Sequence, residues 1–141
     1  MSFLLDTCVI SEYTRRNPDL KVIHWTDKLD ESDLFLSTIT VGEIKRGIER
    51  LPADSKRKQA LTIWLENGLL KRFSGRIYPI TVEVMLRWGL VYARLEASGQ
   101  TVSTRVSLIA ATALSHGAVL ITRDEDHFHP TGVKIINPWG L

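Results

Sequence analysis

Four carboxylates stand where short apolar runs end. Asp6 follows Phe3-Leu4-Leu5, Glu43 lies just beyond Leu34-Phe35-Leu36-Ser37, and Asp124 and Asp126 follow Ala118-Val119-Leu120-Ile121-Thr122. If these runs are parallel strands, their carboxyl ends share one edge of a sheet, where open α/β sheets hold ligands. Acids converging there repel one another unless they are protonated or paired, and a hard divalent cation is the usual partner. Oxygen-only donors suit Mg²⁺ or Mn²⁺. Such an ion can activate water and stabilise the charge of a phosphodiester transition state. Each acid also has a plain structural role open to it. Asp6 suits a helix cap ahead of Val9, Ile10 and Tyr13. Thr40-x-x-Glu43 is a formal capping box. Asp124 suits a cap on the turn before Phe128, and Asp126 reads as exposed. Singly each acid reads as structural; their joint placement at three strand ends favours a shared site.

The elements that must position these acids follow from hydrophobic periodicity. Strands are expected around Phe3-Leu4-Leu5, Asp33–Ser37, Ile77–Ile80, Ala118–Thr122 and Val133–Ile136. Pro79 puts the third of these near an edge. The continuous apolar character of Ala118–Thr122 marks a strand buried on both faces. Helices are expected after Asp6, over Pro18–Leu29 with Pro18 in its first turn, from Thr40 through Leu51, from Pro52–Asp54 through Leu70, over Thr81–Ala97 and over Ser103–Ser115. The last carries Ala110, Ala111 and Ala113, a small face that lets a helix lie close to a sheet. Strands alternating with helices predict an α/β fold with a mostly parallel central sheet of four to five strands flanked by helices. No repeat or linker divides residues 1–141, so a single domain is expected.

Bulk composition narrows the function classes. The chain has 141 residues, 44% hydrophobic and 24% charged, the balance of an ordinary globular protein with a real core. With 18 Lys plus Arg against 16 Asp plus Glu, the net charge of +2 neither requires nor excludes a nucleic-acid partner. The single cysteine, Cys8, excludes an internal disulfide and a cysteine-rich metal site, and fits a reducing cytoplasm. The N-terminus lacks a signal-peptide pattern. No apolar run approaches the roughly 20 residues of a membrane span.

Five stretches, in order, resemble the PIN-domain nucleases, and among them the VapC- and FitB-type toxins of bacterial toxin–antitoxin pairs. They are Leu4-Leu5-Asp6-Thr7-Cys8-Val9-Ile10-Ser11-Glu12, Leu36-Ser37-Thr38-Ile39-Thr40-Val41-Gly42-Glu43-Ile44, Leu108-Ile109-Ala110-Ala111-Thr112-Ala113, Ile121-Thr122-Arg123-Asp124 and Asn137-Pro138-Trp139. The resemblance spans nearly the whole chain. It implies a Mg²⁺- or Mn²⁺-dependent endoribonuclease acting on structured RNA such as transfer RNA. It also implies a homodimer restrained by a small antitoxin, whose helical tail crosses the active-site groove and whose other end binds DNA. Carried over by position, Asp6, Glu43 and Asp124 are metal-binding acids and Asp126 an outer one. One position departs: the family aspartate two residues before Leu-Ile-Ala-Ala is Val106 here. Valine cannot ligate a metal, and Ser107 points about 100° away on a helix. Either the chain is naturally impaired, or the change disarms a toxin for expression. The competing account of function is a catalytically silent binding module that pairs with an antitoxin and contributes to DNA-bound autoregulation.

Other residues weigh less. Lys45, Arg46, Arg50, Lys56, Arg57 and Lys58, with Lys71, Arg72 and Arg76 further on, form a basic region that reads as a solvated helix face, with a phosphate rim as the alternative. Arg105 and Arg123 lie nearer the expected pocket and are better candidates for RNA contact. His127 and His129 lack the further ligands of a transition-metal site. Trp25, Trp64 and Trp88 fall on apolar helical faces, as core or dimer-interface residues. An aspartyl-phosphate phosphatase wants a second aspartate where Cys8 stands. A dinucleotide-binding fold wants a glycine-rich loop after the first strand, and none is present.

Overall fold

A computed structural model describes all 141 residues. Five parallel strands form one sheet in the order β3-β2-β1-β4-β5, with β1 (Phe3–Leu5) at its centre. β2 (Leu34–Ser37) and β4 (Val119–Ile121) flank β1; β3 (Ile77–Tyr78) and β5 (Ile135–Ile136) are the edges. Phe3 pairs with Leu34 on one side and Val119 on the other. Pro79 therefore sits just past an edge strand, where a missing N–H costs no ladder bond.

Side chains alternate across the sheet and divide the core in two. Phe3 and Leu5 face α1 (Thr7–Glu12) and α3 (Thr38–Glu49), packing with Val9, Ile10, Ile44 and Ile48. Leu4 faces α7 (Thr104–Ser115), packing with Val106, Ile109 and Ala110. Ala110, Ala111 and Ala113 are fully buried, which brings α7 close to the strands. α6 (Val82–Ala97) packs mainly on α7 rather than on the sheet. Helix α2 (Leu20–Asp27) covers the C-terminal turn, Pro138–Gly140, and short α8 (Glu125–Phe128) follows β4.

Several boundaries differ from the sequence expectation for local reasons. Helix α2 starts after Asp19, whose carboxylate accepts from Lys21 N–H, so Pro18 lies outside it. The helix after β2 starts at Thr38, because Ser37 is the cap and its hydroxyl accepts from Thr40 N–H. Thr40-x-x-Glu43 is thus not a capping box. Pro52 and Asp54 precede a further cap, Ser55, and α4 (Lys56–Ile63) follows. It continues through a π-helical turn (Trp64–Leu69) into α5 (Leu70–Arg72). The π-turn aims Leu65 and Leu69 into the core on one side of the sheet. Gly117, at φ +61°, turns the chain from α7 into β4.

Candidate active site

The strand order reverses between β1 and β4, the place where open α/β sheets form a crevice. Asp6 leaves β1 there. It caps α1, accepting from Thr7 N–H at 2.9 Å, so the structural role open to it is real. The cap accounts for only part of its bonding. Asp6 is 2% exposed, and its Oδ2 also accepts from the Thr122 hydroxyl at 2.8 Å. Its Oδ1 accepts from Arg105 Nη2 at 3.0 Å. Thr122 in turn accepts from Asp124 N–H at 3.0 Å, which ties the end of β4 to the end of β1.

Glu43 rises from the second turn of α3. Its Oε1 accepts from the Thr7 hydroxyl at 2.6 Å, and its Oε2 accepts from Arg105 Nε. The Thr7 hydroxyl also lies 3.0 Å from that of Thr40. Its single proton goes to Glu43, so Thr40 donates in that contact. Asp6 and Glu43 therefore share one cation, the Arg105 guanidinium, with a side chain 35% exposed. Burial opposes the charge on Arg105, but the hydrogen bond to Glu43 and the charge of Asp6 outweigh it and raise its pKa above the ordinary value.

Asp124 opens α8 but makes no cap bond with its side chain. Its carboxylate accepts from His127 Nδ1 at 2.6 Å instead. Asp124 lines an open cavity of about 360 Å³ together with Asp6, Cys8, Arg105 and Arg123. The Cys8 thiol lies 3.8 Å from Asp6 Oδ2, and burial, then the Asp6 charge, push its pKa up. That is the opposite of an activated nucleophile. Asp126 is exposed on α8 and does not line the cavity. Arg123 is exposed at the rim, its guanidinium 5.4 Å from the Trp139 ring centroid.

Val106 is 5% exposed and belongs to the apolar cluster between α7 and the sheet, beside Leu4 and Phe128. It supplies no oxygen to the notch. In this arrangement no three side chains among His, Cys, Asp and Glu cluster closely enough to hold a metal ion. The donor chemistry of Asp6, Glu43 and Asp124 suits a hard cation, and the position between the first two is taken by a guanidinium. The sequence places Arg105 near these acids as a candidate for RNA contact, but not as their ion-pair partner, and it does not mark Thr7 or Thr122. Thr7 directly after Asp6 and Thr122 at the end of β4 were the available signals. Arg105 was the third: a cation in the first turn of a helix stands at the unfavourable end of its dipole and needs an acid nearby.

Known proteins match the chain over nearly its whole length. The PIN domain model matches residues 3–133. The VapC ribonuclease Y4jK of Sinorhizobium fredii is 37% identical over 136 residues, covering 96% of this chain and 96% of the relative. Toxin FitB of Neisseria gonorrhoeae is 37% identical over 136 residues, covering 96% and 97%. A solved structure of FitAB bound to the IR36 DNA fragment superposes with a TM-score of 0.93 at 36% identity, covering 99% of this chain and 96% of that one.

Proposed function

The chain belongs to the PIN-domain family, and from that membership we propose that it is an RNA-cleaving toxin of a toxin–antitoxin pair, hydrolysing phosphodiester bonds with Mg²⁺ or Mn²⁺. The observation that carries this reading is the meeting of Asp6 and Glu43, 37 positions apart in sequence, on a single cation at the sheet's switch point. Asp124 lines the same opening as Asp6. A ribonuclease and a toxin among the relatives support the same activity.

Asp6, Glu43 and Asp124 would hold the divalent ion, which when bound makes water a stronger nucleophile and stabilises negative charge at phosphorus. The chain's own residues prepare the acids. Thr122 and Thr7 N–H orient the Asp6 carboxylate, and the Thr7 hydroxyl orients that of Glu43. Arg123 at the rim offers a fork of donors to a phosphate of the substrate. Asp126 stands outside the cavity and acts only through solvent.

The partners in this reading are RNA, a cognate antitoxin and a second copy of the chain, in the cytoplasm where RNA is met. The FitAB–DNA structure supports an assembly that reaches DNA through the antitoxin. The homodimer is supported by α6, where Val82, Leu86 and Leu90 repeat every fourth residue and are exposed. No helix is long and apolar enough to cross a membrane.

Val106 favours a second reading, the catalytically silent binding module, because it leaves the notch one acid short. The test is cleavage of a transfer RNA with Mg²⁺ by the natural chain, by Val106→Asp and by the double variant Asp6→Asn/Val106→Asp. Cleavage by Val106→Asp that disappears in the double variant supports the nuclease. No cleavage by any of them, together with no Mn²⁺ binding, supports the binding module.

A further inference from the structure

We propose that Arg105 is a tethered cation that closes the notch, so that a divalent ion binds only when the guanidinium swings out. The inference rests on the acid-pocket reading above but not on RNA cleavage. Its ground is a conflict between local and tertiary preference. Arg105 sits in the first turn of α7, after the Ser103 cap, where the helix dipole disfavours a positive charge. It is held there by two carboxylates from other parts of the fold, Asp6 and Glu43, which are 99 and 62 positions away in sequence. Its Nη2 serves one acid and its Nε the other, so a single planar group bridges both. A divalent ion shared by those acids would occupy the same space between them.

Neighbouring residues make the arginine necessary. The side chain of the following residue, Val106, is buried in apolar core and offers no charge of either sign. The other basic group lining the cavity, Arg123, is exposed and turned toward Trp139. Without Arg105 the buried carboxylate of Asp6 would face that of Glu43 with no cation between them. With it, the pair is neutralised to one net negative charge, and the fold closes the notch without a metal. Because Arg105 is partly exposed on the rim, its side chain can leave without unfolding α7. Metal affinity is then set by how often it leaves. A guanidinium seated about 99% of the time weakens apparent ion affinity about 100-fold.

The experiment is Mn²⁺ titration of the full chain, read by electron paramagnetic resonance and by thermal unfolding, for the natural protein, Arg105→Gln and Arg105→Lys. The expected result is Mn²⁺ affinity about 100-fold tighter in Arg105→Gln and about 10-fold tighter in Arg105→Lys, whose ammonium reaches only one acid at a time. Without metal, Arg105→Gln should melt at a lower temperature than the natural chain, and Mn²⁺ should restore it. If Arg105→Gln unfolds without metal and folds with it, circular dichroism records the same conclusion. Affinities of natural chain and Arg105→Gln within about threefold of each other overturn the proposal, as does the absence of binding in both. A gain of Mn²⁺ affinity without RNA cleavage leaves the latch and sinks the nuclease; equal affinity with cleavage does the reverse.

Discussion

Two clusters in this fold pair arginine with carboxylate, and they are opposite in charge balance and in setting. At the carboxyl edge of the sheet one arginine, Arg105, is shared by two acids, one of them buried. At the amino edge two arginines, Arg72 and Arg76, share one acid, Glu31, on the surface. There the Glu31 carboxylate accepts from Arg72 at 2.8 Å through both oxygens, and that bond holds its pKa below the ordinary value. Arg76 also donates to the carbonyls of Glu31 and Leu34, and both guanidiniums lie near the Phe73 ring. The amino-edge cluster ties loops to strand starts, and water can replace most of it. The carboxyl-edge cluster holds one more acid than cation, and one of those acids, Asp6, is buried. The same ion-pair chemistry thus fastens loops at one end and neutralises converging acids at the other.

That contrast is breakable, and Asp6→Ala is the strongest test. It removes the cap of α1, the partner of Thr122 and one partner of Arg105, and should cost about 3 kcal/mol in urea unfolding, near the lower range for breaking a buried pair. If Asp6→Ala costs no more than Glu31→Ala, burial does not distinguish the two clusters. Val106→Asp comes next. It moves a carboxylate into an apolar cluster beside an already acidic notch, for a loss of about 2 kcal/mol without metal. Mn²⁺ should recover more of that loss in Val106→Asp than it adds to the natural chain, as measured by the shift in melting temperature.

Smaller effects are expected at the amino edge. Glu31→Ala should cost about 1 kcal/mol, less in high salt, because its pairs are exposed despite their good geometry. Tyr13 adjoins this cluster, with Arg72 5.5 Å from its ring centroid. Burial, then the hydrogen bond it donates to Asp27, push its pKa up to about 12. A folded pKa above the unfolded value of about 10 gives stability that is full below pH ~10 and lost as pH rises toward ~12. Because Tyr13 is only partly buried, solvent screening reduces that to no more than about 1 kcal/mol. An alkaline unfolding series should show the loss in the natural chain, and Tyr13→Phe should abolish it.

How much of this was legible beforehand differs between the same two regions. The acids of the carboxyl edge could be read because strand ends, short apolar runs and helix starts are local patterns. Asp6, Glu43 and Asp124 each sit at such a junction, and the five-stranded parallel sheet follows from the alternation that surrounds them. Arg105 was read as a candidate for phosphate contact, because nothing near it in sequence names its two acids. Glu43 was open to being a capping-box member until Ser37 emerged as the cap. At the amino edge the sequence marks Arg72 and Arg76 only as basic positions, with no sign of Glu31 as their partner. Glu31 is 41 positions from Arg72, and neither carries a local pattern. Pairing across such separations is a tertiary property, and periodicity carries no trace of it.

The central place of β1 has a consequence for how the protein is made. Its left neighbour, β2, emerges early from the ribosome, but its right neighbour, β4, is formed by residues 119–121 and Arg105 lies shortly before it. Asp6 therefore gains its guanidinium only once residue 105 of 141 has been made, and Thr122 only after that. Pairing of such distant strands is slow compared with helix formation. A growing chain, or one released too soon, would therefore carry Asp6 without the groups that pair it, and the acid notch would be assembled only in the finished molecule.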